Sequence, residues 1–221
     1  LKARNNYIEQ KNLQYSNNVN YQYRPTSKMQ FSFSADWTHF DGKARCEQPN
    51  EYFSATNMPI RSDIFYSEPD KDIDIYALLA DYKYNPNAQN EILAGVKTTL
   101  INSNNTFLFK KNGVVDTQRS NNFYYKEKNL EAYAQYTHTW NKIELSAGLR
   151  LEYMHTYNRL KSQTNQDSET NKQSHFRLFQ NLSASYTINE KSKIALLYSR
   201  RQDKPRYEDL NPFEYLLDEL T

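Results

Sequence analysis

Apolar and polar side chains alternate between residues 130 and 153, and this pattern constrains the fold more than any other part of the chain. The segment LEAYAQYTHTWNKIELSAGLRLEY keeps the alternation on both sides of Asn141-Lys142. Because successive side chains of a strand point to opposite faces, it predicts two β-strands. If Asn141-Lys142 is a two-residue turn, Trp140 pairs with Ile143 and the apolar side chains share one face. Strands of about 10 to 12 residues are roughly twice the usual length, and with one apolar face they are typical of strands that cross a bilayer.

The composition excludes several other classes of protein. Glycine occurs only 4 times, which leaves little for phosphate-binding loops, whereas 19 tyrosines and 11 phenylalanines suit extended strands. The formal net charge of +2 is too small to indicate nucleic-acid binding. No apolar run approaches the roughly 20 residues of a membrane helix, which excludes a helical membrane protein but leaves a β-barrel open.

The same alternation predicts three further hairpins, and therefore about eight strands in all. In the hairpin predicted for residues 76–100, apolar residues also occupy the second face, so a helix through residues 75–79 is the alternative. Asn112-Gly113 is a turn sequence that predicts a small hairpin of its own. The predicted strand–turn–strand units are 13–23, 24–28 and 29–37; 76–84, 85–89 and 92–100; and 176–186, 189–192 and 194–198.

Long polar segments separate these hairpins. Residues 38–71, 102–129 and 156–174 lack clear alternation and are predicted to be loops, while residues 1–11 and those beyond Ser199 have no pattern. Short turns that alternate with long loops are typical of outer-membrane barrels, and the aromatic residues near strand ends suit interfacial girdles. The sequence thus predicts an all-β, antiparallel, up-and-down transmembrane β-barrel. A soluble or surface-attached β-sheet binding module is the alternative, since a soluble sheet also buries one face.

Two segments resemble a known family. They are RSNNFYYKEKNLEAYAQYTHTWNKIELSAGLRLEYMHT and SASYTINEKSKIALLYSRRQDKPRYEDLNPFEYLLDE, in which SAGLRLEY at 146–153 and SRRQDKPRYEDLNPFEY at 199–215 are the most specific pieces. Both resemble the outer-membrane β-barrel family of TonB-dependent receptors found in Bacteroidetes-type bacteria. The resemblance implies a 22-stranded barrel closed by a plug domain, with active uptake driven by an inner-membrane complex.

Only part of such a receptor fits in this chain. No plug sequence or TonB-contact box is visible, and the final DELT is not the apolar, aromatic-ended strand that usually closes a barrel. Residues 1–221 are therefore predicted to form one partial barrel domain without a plug, an internal fragment. The chain also opens without a signal-like segment, which was either removed or lies outside this piece.

The resemblance also implies location and partners. It places the protein in the bacterial outer membrane, in contact with lipid, and through the missing parts with the plug and the TonB complex. The cargo would be a nutrient, with siderophore, glycan and peptide all open. A passive porin is a second alternative, and no nucleic-acid partner is expected.

No residues point to catalysis, a metal or a cofactor. The four histidines, at positions 39, 138, 155 and 175, lie on separate strand ends or loops, and Cys46 is the only cysteine. Neither H-E-x-x-H, C-x-x-C nor G-x-S-x-G occurs. The chain is thus predicted not to be an enzyme.

Two residue sets remain as candidates for ligand contact. Aromatic side chains in the predicted loops could stack on a sugar or peptide, or could pack loop against loop. Charged side chains on the polar face of the strands could line a ligand path, or could pair with one another or with the plug. The aromatic set is Tyr52, Phe53, Phe65, Tyr66, Phe123, Tyr124 and Tyr125, and the predicted lumen-facing set is Glu131, Glu144, Arg150 and Glu152.

Overall fold

The chain forms one antiparallel sheet in a computed structural model that describes residues 2–3, 6–162 and 168–202. Eight strands are long and two have only two residues each. Each long strand pairs with the next long strand along the chain, so the predicted all-β, up-and-down arrangement is confirmed. The strands are β1 Lys2–Ala3, β2 Asn6–Thr26, β3 Met29–Phe53, β4 Pro59–Asn87, β5 Asn90–Lys111, β6 Val114–Val115, β7 Asn121–Trp140, β8 Ile143–Ser162, β9 Ser168–Asn189 and β10 Ser192–Ser199.

The β7–β8 hairpin has the predicted register. Trp140 lies opposite Ile143, and the pairing continues without a shift to Asn121 opposite Ser162. Asn141 has a φ of 49°, in the left-handed region that asparagine tolerates in tight turns. The Asn112-Gly113 turn is confirmed as well, because it brings Lys111 opposite Val114 between β5 and β6.

The three predicted long loops are wrong, because the strands continue through most of them. β3 runs 25 residues and β4 runs 29, with only residues 54–58 between them. In the same way, β5 and β7 leave residues 112–120 for the turn, β6 and a short connection. The alternation is lost there because each face mixes polar side chains with aromatic ones. Strand pairing continues because it depends on backbone hydrogen bonds, which any of these side chains permits.

Two smaller predictions also need correction. Residues 75–79 are not helical but lie within β4, where Tyr76 faces Trp37 on one side and Leu100 on the other. The polar start of the chain is also largely strand, since β2 begins at Asn6 and places Glu9 opposite Arg45. The final DELT and most of the segment after Ser199 lie outside the described residues.

One face of the sheet is apolar and exposed, and we call it the outer face. Phe33, Leu145 and Leu149 expose 50%, 51% and 55% of their surface, and Phe31 is partly exposed. A soluble sandwich would bury these side chains against a second layer, but the described strands all belong to one sheet. The two edges of this sheet do not meet, so the part of the chain that the structure describes is an open segment of wall. None of its elements is a helix that could cross a membrane.

The opposite, polar face holds the buried side chains, and we call it the inner face. In a single-layer sheet, side chains become buried where curvature crowds them together, so this face is the concave one. A cluster of buried aromatic rings lies on this face, toward the strand ends far from the turns at 27–28, 88–89, 141–142 and 190–191, which we call the distal ends. The cluster comprises Phe65, Phe107, Phe109, Phe123 and Tyr125.

Candidate functional site

The four charged residues predicted to face the lumen all lie on the inner face. Cross-strand register places Glu131 opposite Glu152, Tyr133 opposite Arg150 and Thr139 opposite Glu144. The period of the strands therefore brings the set to one surface, as the sequence predicted.

Each carboxylate of this set has a cationic neighbour. Arg150 Nη1 lies 3.7 Å from Glu131 Oε2, and Lys193 Nζ lies 3.4 Å from Glu144 Oε1. Glu152, which is only 4% exposed, has Arg177 Nη1 3.5 Å from its Oε1. These contacts correspond to the interpretation in which the charges pair with one another and form a polar wall. Arg177 and Lys193 were missed from the sequence because only the pairing of β8 with β9, and of β9 with β10, brings them to these acids.

A cavity of about 660 Å³ opens on the inner face beside β10. The Arg150 guanidinium lies 4.6 Å from the centre of the Phe179 ring, so a flat cation–aromatic pair forms part of its wall. Arginines present several planar donors that recognise carboxylates and similar anions. The side chains that define the cavity are Glu131, Tyr133, Arg150, Phe179, Arg200 and Arg201.

Tyr133 connects the cavity to the neighbouring strands. Its hydroxyl donates a hydrogen bond to Asp81 Oδ1, across the intervening strand β5. The tyrosine crosses β5 at Gly95, where an added Cβ would collide with both Tyr133 Oη and Asp81 Oδ1. The glycine thus permits a polar link between three strands.

The seven predicted ligand-binding aromatics do not form one site. All seven lie at the distal ends of strands, not in loops as predicted. Phe65, Phe123 and Tyr125 are 2%, 4% and 3% exposed in the inner-face cluster. This burial favours the packing interpretation for these three rings. Ligand contact by the other aromatics stays a prediction.

The remaining aromatics occupy other surroundings. Tyr52 is on the inner face, with the Arg61 guanidinium 4.1 Å from its ring centre, and Phe53 ends β3 opposite Pro59. Tyr66 and Tyr124 lie on the outer face, where the Tyr66 hydroxyl donates to Glu68 Oε2 at 2.9 Å. Partial burial, together with this bond to Glu68, raises the pKa of the Tyr66 hydroxyl.

One group of possible metal ligands was not predicted. Potential ligand atoms of His39, Asp72 and Asp74 lie within 4.8 Å of one another on the outer face. Pairing of β3 with β4 brings them together, so their spacing along the chain carries no signal. His39 Nδ1 and Trp37 Nε1 each lie 3.1 Å from Asp74 Oδ1, so this carboxylate already has two hydrogen-bonding neighbours.

The apolar outer face, polar inner face and long paired strands define the class of protein as an outer-membrane β-barrel. A family model described as the outer membrane protein beta-barrel family matches residues 22–221, and the chain belongs to this family. The protein is therefore located in the bacterial outer membrane. No curated protein sequence matches the chain.

Several solved receptor structures share the fold. The ferric yersiniabactin uptake receptor FyuA of Yersinia pestis has a TM-score of 0.63 and 14% identity, over 84% of this chain and 27% of the receptor. The ferric-catecholate import receptor Fiu of E. coli K12, in its closed form, has a TM-score of 0.66 and 13% identity, over 86% and 33%. The ferric citrate transporter FecA has a TM-score of 0.58 and 11% identity, over 80% and 25%. This chain thus spans between a quarter and a third of the length of these receptors, which are transport proteins, not enzymes.

Proposed function

We propose that this chain is part of the wall of a TonB-dependent receptor that binds a nutrient and imports it across the outer membrane. The observation that carries the proposal is the eight-strand meander, with its apolar outer face and strands extended beyond it, which resembles the walls of three ferric-chelate receptors. The plug and the contact with the TonB complex would belong to parts of the protein beyond this chain.

The inner cavity supports an anionic cargo. Arg150, Arg200 and Arg201 border it together with the Phe179 ring, while Glu131 is the one acid among the described residues that line it. Guanidinium groups bind carboxylates and catecholates well, and an aromatic ring adds a surface for a flat ligand. Among siderophore, glycan and peptide, a negatively charged ferric chelate fits this lining best.

A transport assay with the full-length protein in its native membrane tests the proposal. Cells with and without the gene would be supplied with labelled ferric citrate, maltoheptaose or a tryptic peptide mixture. We expect gene-dependent accumulation of one class, with ferric citrate favoured, and its loss when a protonophore collapses the proton gradient. Uptake of all three probes at similar rates, insensitive to the protonophore, would instead identify a passive porin.

Substitutions at the cavity test whether it binds the transported probe. Arg200→Gln with Arg201→Gln should weaken binding of the transported anionic probe by about tenfold or more, because hydrogen bonds to charged groups are strong. Arg24→Gln with Lys28→Gln removes the same charge at the β2–β3 turn and should leave binding unchanged. Equal binding by both variants would contradict a role for the cavity.

A further inference from the structure

The outer face of β7, β8 and β9 carries a group of cations just beyond its apolar band. The last apolar row across these strands is Leu130, Tyr153 and Phe176. Further toward the distal ends, the outward positions of the three strands include four lysines and one arginine, all exposed. This group, which we call the basic patch, comprises Lys126, Lys128, Arg159, Lys161 and Lys172.

None of these cations forms an ion pair with a carboxylate in the part of the chain that the structure describes. The nearby acids, Glu127 and Glu169, follow the opposite parity of their strands and belong to the inner face. The Lys126 ammonium lies 5.2 Å from the centre of the Tyr124 ring, and that of Lys172 lies 5.7 Å from the centre of the Tyr157 ring. The aromatic rings hold two of the charges without neutralising them.

On the outer face of β3 and β4, by contrast, Lys43 and Arg45 are paired with acids. Lys43 Nζ lies 3.1 Å from Asp70 Oδ2. Arg45 likewise lies 3.2 Å from Glu9 Oε2 and 3.3 Å from Glu68 Oε1. Among the described residues of β2 and β5, Lys11 and Lys110 also point outward without an ion pair to a carboxylate, but they are two separate cations. The group of five lies only on β7 to β9 of the described wall, which a general preference for charged surface above the membrane does not explain.

The height of the patch corresponds to lipid headgroups. Outward positions along a strand are two residues apart, or about 7 Å. Lys128 is one step beyond Leu130, and Lys126 and Lys172 are two steps beyond the last apolar row. Because the headgroup layer is roughly 5 to 8 Å thick on each side and barrel strands are tilted, these lysines lie at or just above the phosphates.

An apolar groove on the outer face adjoins the patch. It has a volume of about 460 Å³ and extends from Val19 and Phe33 across Leu78 and Val96 to Leu130, directly below Lys128. An acyl chain would bury apolar surface in such a groove, whereas a free phosphate ion has no apolar part to bury there. Charge and groove together favour a lipid over a soluble anion.

We propose that the basic patch binds the phosphate groups of an anionic lipid in the outer leaflet, with an acyl chain in the adjoining groove. Lys128 is the cation nearest the apolar band, and Lys126 and Lys172 lie one step further out, on either side of β8. The site is on the outer surface of the wall, so it is independent of any cargo bound on the inner face.

Binding of fluorescent diphosphoryl lipid A to the full-length protein in nonionic detergent, followed by anisotropy, tests this proposal. Lys126→Gln with Lys128→Gln should weaken binding by about tenfold or more, since each basic residue near an anionic surface contributes on the order of 1 kcal/mol. The matched control, Lys43→Gln with Arg45→Gln, removes two paired cations from the same face and should change affinity by less than about twofold. Heat-modifiable migration on gels verifies that each variant is folded.

Competition experiments identify the ligand group. Unlabelled diphosphoryl lipid A should displace the probe better than monophosphoryl lipid A, and millimolar inorganic phosphate at constant ionic strength should not displace it. Equal affinity of the two double variants, or equal competition by the two lipids, would overturn the proposal. Displacement by inorganic phosphate would overturn it too, in favour of a free-anion site.

Discussion

Single residues on the inner face decide which side chains can cross from one strand to another. Gly95 is the clearest case, because the Tyr133 side chain crosses β5 at this position to reach Asp81. Gly148, also on the inner face, has more room: an added Cβ would have its nearest neighbours at 3.5 Å. The two glycines look equivalent in the sequence, but adding a side chain should cost more folding free energy at Gly95 than at Gly148.

We therefore expect Gly95→Ala to destabilise the folded barrel by about 1 to 3 kcal/mol, the usual range for overpacking. The new Cβ would collide with the Tyr133 ring and the Asp81 carboxylate. Urea unfolding of the full-length protein in lipid vesicles measures the free energy of unfolding. Gly148→Ala is the control and should be nearly neutral, and equal effects of the two substitutions would contradict this packing argument.

At the scale of whole elements, an aromatic cluster and an attached turn hold the distal ends of the strands together. Their aromatic cluster buries five rings on the inner face, and Phe65 and Phe109 lie 5.5 Å apart between ring centres. The β5–β6 turn is attached to β4 beside this cluster. Asn112 Nδ2 donates to Asp63 Oδ1 at 2.9 Å, and Ile64 N donates to Asn112 Oδ1 at 2.7 Å. Packing and hydrogen bonds therefore order a region that lies beyond the membrane.

The attachment through Asp63 should depend on pH. The hydrogen bond from Asn112, with help from Lys111 and Arg61, holds the pKa of the Asp63 carboxyl below its ordinary value of about 3.9. A lowered pKa in the folded state stabilises the fold above about pH 4, and this contribution is lost as the pH falls through the folded-state pKa. We expect the hydrogen-exchange protection of residues 107–115, corrected for intrinsic rates, to be constant down to about pH 5 and to decrease as the pH falls below about 4.

Asp63→Asn tests the cause of this decrease. The variant should begin with lower protection near neutral pH and change less on acidification. Asp70→Asn, which removes the partner of Lys43 on the outer face, serves as control and should leave residues 107–115 as in the native chain. A decrease of the same size in the Asp63 variant would assign the pH dependence to another group.

At the scale of the whole molecule, the two faces of the sheet meet different solvents. The apolar band of the outer face contacts lipid, whereas the inner face of the same strands carries ion pairs such as Arg150–Glu131 and the arginine-lined cavity. Leu149 and Ser146 are close together on β8 but point to opposite faces. The effect of a charge at these two positions should therefore differ strongly.

Leu149→Arg should destabilise the full-length protein in the membrane by about 2 to 4 kcal/mol, the range for an arginine on the lipid face near the bilayer midplane. Ser146→Arg places the same group on the inner face and should have little effect. Folding into lipid vesicles, measured by heat-modifiable gel migration and urea titration, compares the two. If both variants fold equally well, the outer face does not contact lipid at Leu149.

By itself the sequence determined the fold class, the positions of the four short turns that join the long strands, and the shared face of Glu131, Glu144, Arg150 and Glu152. All of these depend on local period and turn chemistry, which adjacent residues carry. Only the tertiary structure decided how far the strands extend, because backbone pairing continues where the alternation of side chains has ended. It also decided which groups meet across strands: the Arg177–Glu152 pair, the buried aromatic cluster and the basic patch depend on register between distant segments.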